Sequence, residues 1–439
     1  SVAWPAFARK FHNKELSMHV RTRGLALVAT IGLLAAACGG GDTDTDAATT
    51  AEPTADAAGA EGALVVWADD TRTPVIEAIS EQFTADSGVE VQVVEKARDS
   101  IRADFETQAP AGQGPDVIVG AHDWVGSYVS QGLITPVELG DVADGLAEVS
   151  VRAFSVEGQT YGMPYAIENV ALLRNAELAP ETPASWDEMV AAGQALVDAG
   201  DADLPFGVQM NGEAGDPYHF YSLLTSFGAA LFGQDENGDW DPADVLLDNE
   251  GGLEYAQFLQ EAGANGIFSI SNSGDVLKEM FESGKLPYWI TGPWWAGDSV
   301  DAGIDLVVEP VPGPGGETPS PFVGVQGVMI SNFSENKLAA TEFVVNFLGS
   351  EDAARSLFEA DPRPPANVVV FEEVSGDPLI QGFGEAGASG SPQPSFASMT
   401  TIFDEWGKSE AAIVDQRGNP EELWTTMADK VREAAASEL

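Results

Sequence analysis

Acidic and aromatic side chains recur together in this chain, mostly just after apolar runs that predict β-strands. Carboxylates and guanidinium groups pair with hydroxyls, and the flat rings of Trp and Tyr stack on the apolar C–H face of a sugar. Taken singly, each residue is explained by packing or by solvent exposure, but their repetition favours a sugar site. The candidate ligand-binding residues are Asp69, Asp70, Arg72, Asp123, Trp124, Glu168, Asp216, Tyr218, Trp294, Phe403 and Trp406.

The segment PYWITGPWW (287–295) places two adjacent tryptophans after a Gly-Pro pair. Its first half predicts a strand in which Tyr288 and Trp289 point to opposite faces. The Gly-Pro pair then ends the strand. We expect Trp294, just past this turn, to form a platform for a ligand, and Trp295 to pack behind it.

Metal and nucleophilic chemistry find little support. The chain has four histidines and one cysteine, and only His122 and His219 lie outside its N-terminal region. We therefore expect neither a metal site nor a cofactor. No G-x-S-x-G motif accompanies these histidines, which argues against a Ser-His-Asp hydrolase. A glycosidase with paired carboxylates stays open, because acidic residues are abundant.

The pattern of apolar residues predicts alternating strands and helices. The runs 63–68, 89–95 and 114–120 read as strands, with helices over 75–88 and 99–109 between them. This order predicts a mostly parallel sheet with covering helices, which binds ligands at the carboxyl ends of its strands. A chain of 439 residues is too long for one core, which predicts two domains or lobes. Further helices are predicted over 185–199, 217–230, 250–264, 275–283, 337–350 and within 396–437, and a strand over 322–330.

The charge of the chain excludes one class of partner. Its 20 basic and 70 acidic residues give a formal net charge of −50. Nucleic acid requires a basic surface, so it is excluded as the main partner. The charge fits a highly solvated protein outside the cell, or one from a salty habitat.

The N-terminal region reads as a targeting segment. A basic stretch from Met18 precedes an apolar run of 14 residues over 24–37, which is too short to span a bilayer. The run ends at Cys38, the only cysteine, and resembles a bacterial lipoprotein signal. We expect a signal peptide over 18–37 and a lipid anchor on Cys38.

The segments on either side of this signal are interpreted separately. Residues 38–62 are rich in Ala, Thr and Asp and predict a flexible tether. Residues 1–17 read as a non-native upstream extension.

Four segments resemble the extracytoplasmic solute-binding proteins of sugar ABC importers, above all the maltose/maltodextrin-binding proteins. The likeness runs from about Ala63 to the C-terminus, and its motifs are specific when taken together in this order. The segments are GPDVIVGAHDWVGSYVSQGLI (114–134), YGMPYAIENVALLRNAEL (161–178), FESGKLPYWITGPWW (281–295) and PFVGVQGVMI (321–330).

This resemblance implies an α/β, two-lobe, periplasmic-binding-protein-like fold with hinge-crossing segments, whose lobes close over the ligand. We expect lobe I over 63–167 and 326–364, and lobe II over 168–325 and 365–439.

The resemblance also implies roles for single residues. Asp69 and Arg72 match polar residues that bind sugar hydroxyls after the first strand. Asp123 matches the acid of an Ala-His-Asp motif, and Glu168 matches an acid beside the hinge. Trp294 matches a stacking tryptophan.

Several positions depart from the family pattern. Trp124 stands where the maltose binders carry an arginine, which replaces a polar contact by stacking. Gly120 stands where they have a tryptophan, which leaves one wall of the site without its usual ring. The Asp-Pro-Tyr triplet 216–218 has Asp in place of Glu. Phe403 aligns with another stacking aromatic, and Trp406 is the alternative.

The implied function is that of a monomeric, lipid-anchored, extracytoplasmic protein. It would capture a malto-oligosaccharide or related sugar by lobe closure and deliver it to a membrane permease with a cytoplasmic ATPase, without a covalent step. Two alternatives stay open: a lipid-anchored extracellular glycosidase, and a binding protein for another solute such as a polyamine or a metal chelate.

Overall fold

The computed structural model describes residues 62–97, 100–235 and 238–438. The predicted upstream extension, the signal peptide, Cys38 and the tether as far as residue 61 lie outside these residues. Among the helices in the described ranges, none combines the length and the apolar character needed to cross a membrane.

The described strands form two principal sheets and two small hairpins. The predicted strands over 63–68, 89–95, 114–120 and 322–330, and the strand predicted in the first half of 287–295, are confirmed, with ends that shift by a few residues. The strands are β1 (Leu64–Asp69), β2 (Val91–Lys96), β3 (Val117–Ala121), β4 (Ser155–Val156), β5 (Gln159–Thr160), β6 (Met163–Asn169), β7 (Ala171–Asn175), β8 (Gly207–Val208), β9 (Phe232–Gln234), β10 (Trp240–Val245), β11 (Tyr288–Thr291), β12 (Leu306–Glu309), β13 (Phe322–Ile330) and β14 (Ser391–Pro392).

The first sheet has the order β2-β1-β3-β13-β14, with β6 also paired to β13. The predicted parallel pairing is confirmed for β1, β2 and β3. By contrast, β13 pairs antiparallel with both β3 and β6. Alternate residues of β1 enter separate cores on the two faces of the sheet, with Leu64 and Val66 in one and Trp67 in the other.

The second sheet has the order β12-β7-β11-β8 and is largely antiparallel. Its two faces also bury separate cores. Tyr288 packs in the larger of these cores and its neighbour Trp289 in the smaller, which confirms that they point to opposite faces. Each of the two sheets therefore has its own hydrophobic cores, and the protein has two lobes.

The chain crosses between the lobes more than once. It leaves the first sheet at the end of β6 and enters the second at β7, and it returns between β12 and β13. These crossings run in opposite directions, which accounts for the antiparallel pairing of β6 with β13. At its start, β13 is also held by the second lobe, because Phe322 stacks on Tyr221 with ring centroids 3.5 Å apart.

Helices cover both sheets, and their ends carry the expected signals. Gly88 ends the first helix with φ 75°, a conformation that glycine adopts at no steric cost. Ser185 begins another helix, and its side chain accepts a hydrogen bond from the backbone N–H of Glu188. The helices are α1 (Thr73–Ser87), α2 (Ile101–Gln108), α3 (Val125–Ser130), α4 (Glu148–Ala153), α5 (Trp186–Ala199), α6 (Pro217–Thr225), α7 (Glu250–Ala264), α8 (Gly274–Glu282), α9 (Ala296–Asp301), α10 (Lys337–Thr341), α11 (Glu351–Ala360), α12 (Val368–Val374), α13 (Pro378–Gly387), α14 (Met399–Val414) and α15 (Pro420–Ala435).

Two helical predictions need correction. The helix expected over 337–350 is α-helical only in α10 and continues as a π-helical segment, Glu342–Phe347. Its wider turns bury three consecutive apolar side chains, Phe343 to Val345, in the first lobe. The helix expected over 217–230 ends at Thr225, because Gly228 adopts φ 77° shortly afterwards.

Candidate ligand-binding site

A cavity of about 730 Å³ is lined by residues from both lobes. This volume lies in the range of small-molecule sites. The wall contains three tryptophans or tyrosines that the sequence singled out, together with two arginines and several carboxylates. The lining residues are Asp69, Thr71, Arg72, Trp124, Glu168, Gln209, Asn211, Ala214, Gly215, Tyr218, His219, Ser273, Gly274, Asp275, Trp294, Trp295 and Arg363.

Asp69 and Arg72 lie at the carboxyl end of β1, where the alternating pattern predicted a ligand edge. Asp69 is buried, and its Oδ1 accepts a hydrogen bond from the Thr71 hydroxyl at 2.9 Å. Arg72 donates one N–H to Asp69 and another to the side-chain oxygen of Gln326. These contacts hold the guanidinium in place, and its Nε has no hydrogen-bond partner within the described residues.

Trp124 follows β3 in a short 3₁₀ turn. Its indole packs against the backbone of Gly120, where a Cβ would come within 2.1 Å of Cζ3. The guanidinium carbon of Arg72 lies 6.0 Å from the ring centroid, at the limit for a cation–π contact. The ring therefore occupies the space that a side chain at position 120 would need.

Glu168 lies near the end of β6, just before the chain crosses to the second lobe. Its Oε1 accepts a hydrogen bond from Gln326 at 2.5 Å, and its Oε2 accepts one from Arg363 at 2.9 Å. Arg363 also forms an ion pair with Asp361 at 2.6 Å. Burial alone would lower the pKa of Arg363, but the two carboxylates outweigh it and raise the pKa, so the guanidinium stays charged.

Trp294 lines the cavity from the second lobe. It lies in a short 3₁₀ turn after β11, and its indole packs on Gly292, where a Cβ would come within 2.0 Å of Cζ3. The ring meets His219 edge-to-face, with centroids 5.6 Å apart. Trp295 is 8% exposed and packs in the smaller core of this lobe, although it also reaches the cavity wall.

Tyr218 stands beside Trp294, with ring centroids 6.3 Å apart. Burial, followed by the nearby carboxylates of Glu168 and Asp123, raises the pKa of its phenol well above the usual range. The hydroxyl is therefore neutral and keeps its proton to donate. Among the described residues it has no hydrogen-bond partner.

Five predicted site residues do not line the cavity: Asp70, Asp123, Phe403, Trp406 and Asp216. Asp70 is exposed and accepts a hydrogen bond from the backbone of Thr71. Asp123 is half-buried and is not among the lining residues. Phe403 packs against the larger core of the second lobe. Trp406 is fully buried in that core, where its indole N–H donates to Glu410.

Asp216 is also absent from the cavity wall. It begins α6, where its side chain accepts a hydrogen bond from the backbone N–H of His219. Its carboxylate also contacts Gln209 and Asn211. Burial would raise the pKa of Asp216, but His219 and these hydrogen bonds outweigh it and hold the pKa below its usual range.

Sequence reasoning missed other residues of the site. Gln209 and Asn211 lie on an irregular segment after β8, and nothing in the local pattern indicates them. His219 was considered only as a metal ligand or catalytic base. Gln326 is the only strongly polar residue in a buried strand of nine, which is a usable signal. Arg363 lies 195 positions along the chain from Glu168, its partner in the cavity wall.

Metal ligation is not supported by the residues present. In the part of the chain that the structure describes, no three His, Cys, Asp or Glu side chains are grouped so as to hold a metal ion.

Similarity to a known protein family agrees with the geometry of this cavity. Residues 78–381 match the family model described as bacterial extracellular solute-binding protein. Because this range covers more than half of the chain, the chain belongs to that family. Its members bind solutes outside the cytoplasm and are not enzymes, so the glycosidase alternative is set aside.

Particular relatives cover most of the chain. The galactooligosaccharide-binding protein of Bacillus subtilis (strain 168) is 28% identical over 362 residues, which cover 80% of this chain and 83% of that protein. The maltotriose-binding protein of Pyrococcus abyssi is 26% identical over 363 residues, which cover 80% of this chain and 77% of that protein. The solved structure of the Thermus thermophilus maltotriose binding protein bound with maltotriose matches with a TM-score of 0.76 at 28% identity, covering 84% of this chain and 99% of that one.

Proposed function

We propose that this protein captures a malto-oligosaccharide or a related oligosaccharide between its lobes. One observation carries the proposal. Trp124 from the first lobe and Trp294 from the second line the same cavity, beside the carboxylates and guanidinium groups of Asp69, Arg72 and Glu168. Flat rings on two walls suit the apolar faces of sugar rings, and the charged groups suit the hydroxyls at their edges.

The binding step needs no covalent chemistry. Affinity would come from burial of the sugar against the indoles and from charge-assisted hydrogen bonds. Lobe closure would couple occupancy of the cavity to recognition by a partner, since a ligand shifts the equilibrium toward the state that it binds better. The relatives and the family support delivery to an ABC permease with a cytoplasmic ATPase.

We also propose that the protein acts as a lipid-anchored monomer. The basic start at Met18, the apolar run and Cys38 support cleavage and lipidation at that cysteine. Several acyl chains on one cysteine anchor a protein stably, where a single chain is marginal. Relatives in Streptococcus pneumoniae are named maltooligosaccharide ABC transporter solute-binding lipoproteins.

A polyamine is a weaker candidate ligand. Two guanidinium groups, Arg72 and Arg363, line the cavity and would repel a polycation. A polyamine also lacks the broad apolar face that would stack on an indole.

Titration calorimetry with maltotriose and with a β-galactotriose tests the proposed function directly. We expect at least one of the two sugars to bind with a dissociation constant at or below the micromolar range, and no smaller sugar to appear on long incubation. The absence of binding to both sugars would contradict the proposal, as would their hydrolysis.

A further inference from the structure

The carboxylate of Asp216 has no capacity left for a ligand. Its Oδ1 accepts from the backbone N–H of His219 at 3.2 Å and contacts Nδ1 of the same residue at 2.9 Å. Its Oδ2 accepts from the side chains of Gln209 at 2.6 Å and Asn211 at 2.8 Å. Four contacts use the four lone-pair positions of a carboxylate. Asp216 therefore orients its neighbours and does not reach the cavity.

The contact between Asp216 and His219 decides where the imidazole proton lies. An ionised carboxylate can only accept hydrogen bonds, so the proton in this contact is on Nδ1 of His219. In a neutral imidazole, the other nitrogen then carries a lone pair and accepts. The orientation of the ring is fixed as well, because His219 packs edge-to-face against Trp294.

Nε2 of His219, the nitrogen left to accept, has no donor among the described residues. The residue is 5% exposed and lines the cavity, and its Nε2 has no hydrogen-bond partner among the described residues. A buried polar atom without a partner costs free energy, and a ligand in the cavity that His219 lines would supply one. The hydroxyl of Tyr218 is in the same situation one residue earlier, with the two ring centroids 5.8 Å apart.

We propose that His219 binds a ligand hydroxyl through Nε2, and that Asp216 is a positioning residue that fixes the tautomer of His219. This inference rests on the proposed function and names one of its contacts. Tyr218 supplies a donor and His219, when its imidazole is neutral, an acceptor side by side. A hydroxyl both donates and accepts, so the pair selects a sugar with a free hydroxyl at this position. A deoxy or O-methylated sugar would leave one or both groups unpaired.

The other histidine of the described chain, His122, has the opposite tautomer and serves as an internal reference. The backbone N–H of Val325 donates to its Nδ1 at 3.1 Å, so Nδ1 carries no proton. Its Nε2 lies 2.9 Å from the backbone carbonyl of Gln393 and therefore donates to it. Both nitrogens of His122 are used within the protein.

Two substitutions separate the two nitrogens of His219. In His219→Asn the amide reaches the position of Nδ1 and keeps the contact with Asp216, but nothing replaces Nε2. In His219→Gln the amide reaches toward the position of Nε2. At pH 8, titration with maltotriose and β-galactotriose should show about a ten-fold loss of affinity for His219→Asn, and a loss within about three-fold for His219→Gln. Thermal unfolding without sugar checks that both variants are folded.

The outcomes distinguish this inference from the proposed function. If the wild type binds a sugar and His219→Asn binds it with equal affinity, the role of His219 is overturned and the proposed function stays intact. Equal large losses in both variants would assign His219 to packing against Trp294 and would also overturn the inference. Failure of the wild type to bind either sugar would overturn both proposals.

The tautomers can be observed without any ligand. Long-range ¹H–¹⁵N correlation spectra of the imidazoles should show the Nδ1–H form for His219 and the Nε2–H form for His122. Asp216→Asn should remove the Nδ1–H preference of His219 and weaken sugar binding by about as much as His219→Asn, while His122 keeps its signals. An Nε2–H form of His219 in the wild type, or unchanged binding by Asp216→Asn, would contradict the positioning role.

Discussion

The Trp124 indole occupies the space that a side chain at Gly120 would need, because a Cβ on the glycine would lie 2.1 Å from Cζ3 of the indole. The second lobe repeats this relationship, because a Cβ on Gly292 would lie 2.0 Å from Cζ3 of Trp294. In both lobes a tryptophan just past a strand packs its ring on the backbone of a nearby glycine. The glycines thus set where the two rings stand in the cavity wall.

Gly120→Ala should displace the Trp124 indole and weaken maltotriose binding by about 1 kcal/mol, the scale of one aromatic stacking contact. Titration calorimetry measures this loss of affinity for maltotriose. In a Trp124→Ala background the same glycine substitution should have little further effect on affinity. Additive losses in the double variant would show that Gly120 acts independently of the ring.

Trp294→Ala should cost about 1–2 kcal/mol in sugar binding, since it removes a ring on the cavity wall. Trp240→Phe is a suitable control, because Trp240 lies outside the cavity and donates its indole N–H to the backbone of Pro392. The control should keep the wild-type affinity. Unchanged affinity in Trp294→Ala would remove this residue from the site.

Arg363→Ala should destabilise the protein by about 3–5 kcal/mol, because it leaves the buried carboxylate of Glu168 without its cation. Urea denaturation followed by circular dichroism gives this difference. Arg355 is the matched control, since it also contacts several carboxylates but lies on the surface. Arg355→Ala should change stability far less, and similar losses in both variants would contradict the importance of burial.

Glu410→Gln should stabilise the protein increasingly as the pH rises. Glu410 is fully buried, and desolvation raises its pKa well above the usual range despite hydrogen bonds from Tyr255 and Trp406. A carboxyl whose pKa is higher in the folded state contributes stability that is complete below the unfolded pKa of about 4.5 and is lost as the pH rises toward the folded pKa.

The measurement is the difference in the free energy of unfolding between Glu410→Gln and wild type across pH 4 to 8. Groups remote from Glu410 contribute equally to both proteins and cancel in this difference. A difference that does not change with pH would show that Glu410 ionises normally.

Cys38→Ser should release the protein from the membrane fraction, because no acyl chain could then be attached. Cell fractionation in detergent-free buffer, followed by blotting, tests this outcome. Sugar binding by the released protein should equal that of the wild type. Continued pelleting of the variant with membranes would argue against lipidation at this position.

Much of the fold could be predicted from the sequence, because strand and helix periodicities are local. The polar edge after β1 and the tryptophan after β11 followed from the same reasoning, since strand ends place side chains at a cleft. The direction of a single side chain is not local. Asp216 looked like a ligand contact, yet its position at the start of α6 turns it toward His219.

Contacts between distant segments were also beyond sequence reasoning. Arg363 meets Glu168 across 195 positions of the chain, and Gln326 meets Arg72 across 254. The family pattern pointed first to Phe403 as a stacking aromatic, with Trp406 as the alternative. Only packing shows that Trp406 is fully buried, with its indole N–H satisfied inside the core.

The strand β13 has an evolutionary consequence. Its first residue, Phe322, is anchored in the second lobe, and its Gln326 bonds to both Arg72 and Glu168 in the cavity wall. If the lobes close over the solute as proposed, we expect substitutions at Phe322 and Gln326 to alter both the closure and the binding of the solute. Selection for a new solute would then act on both properties through the same strand.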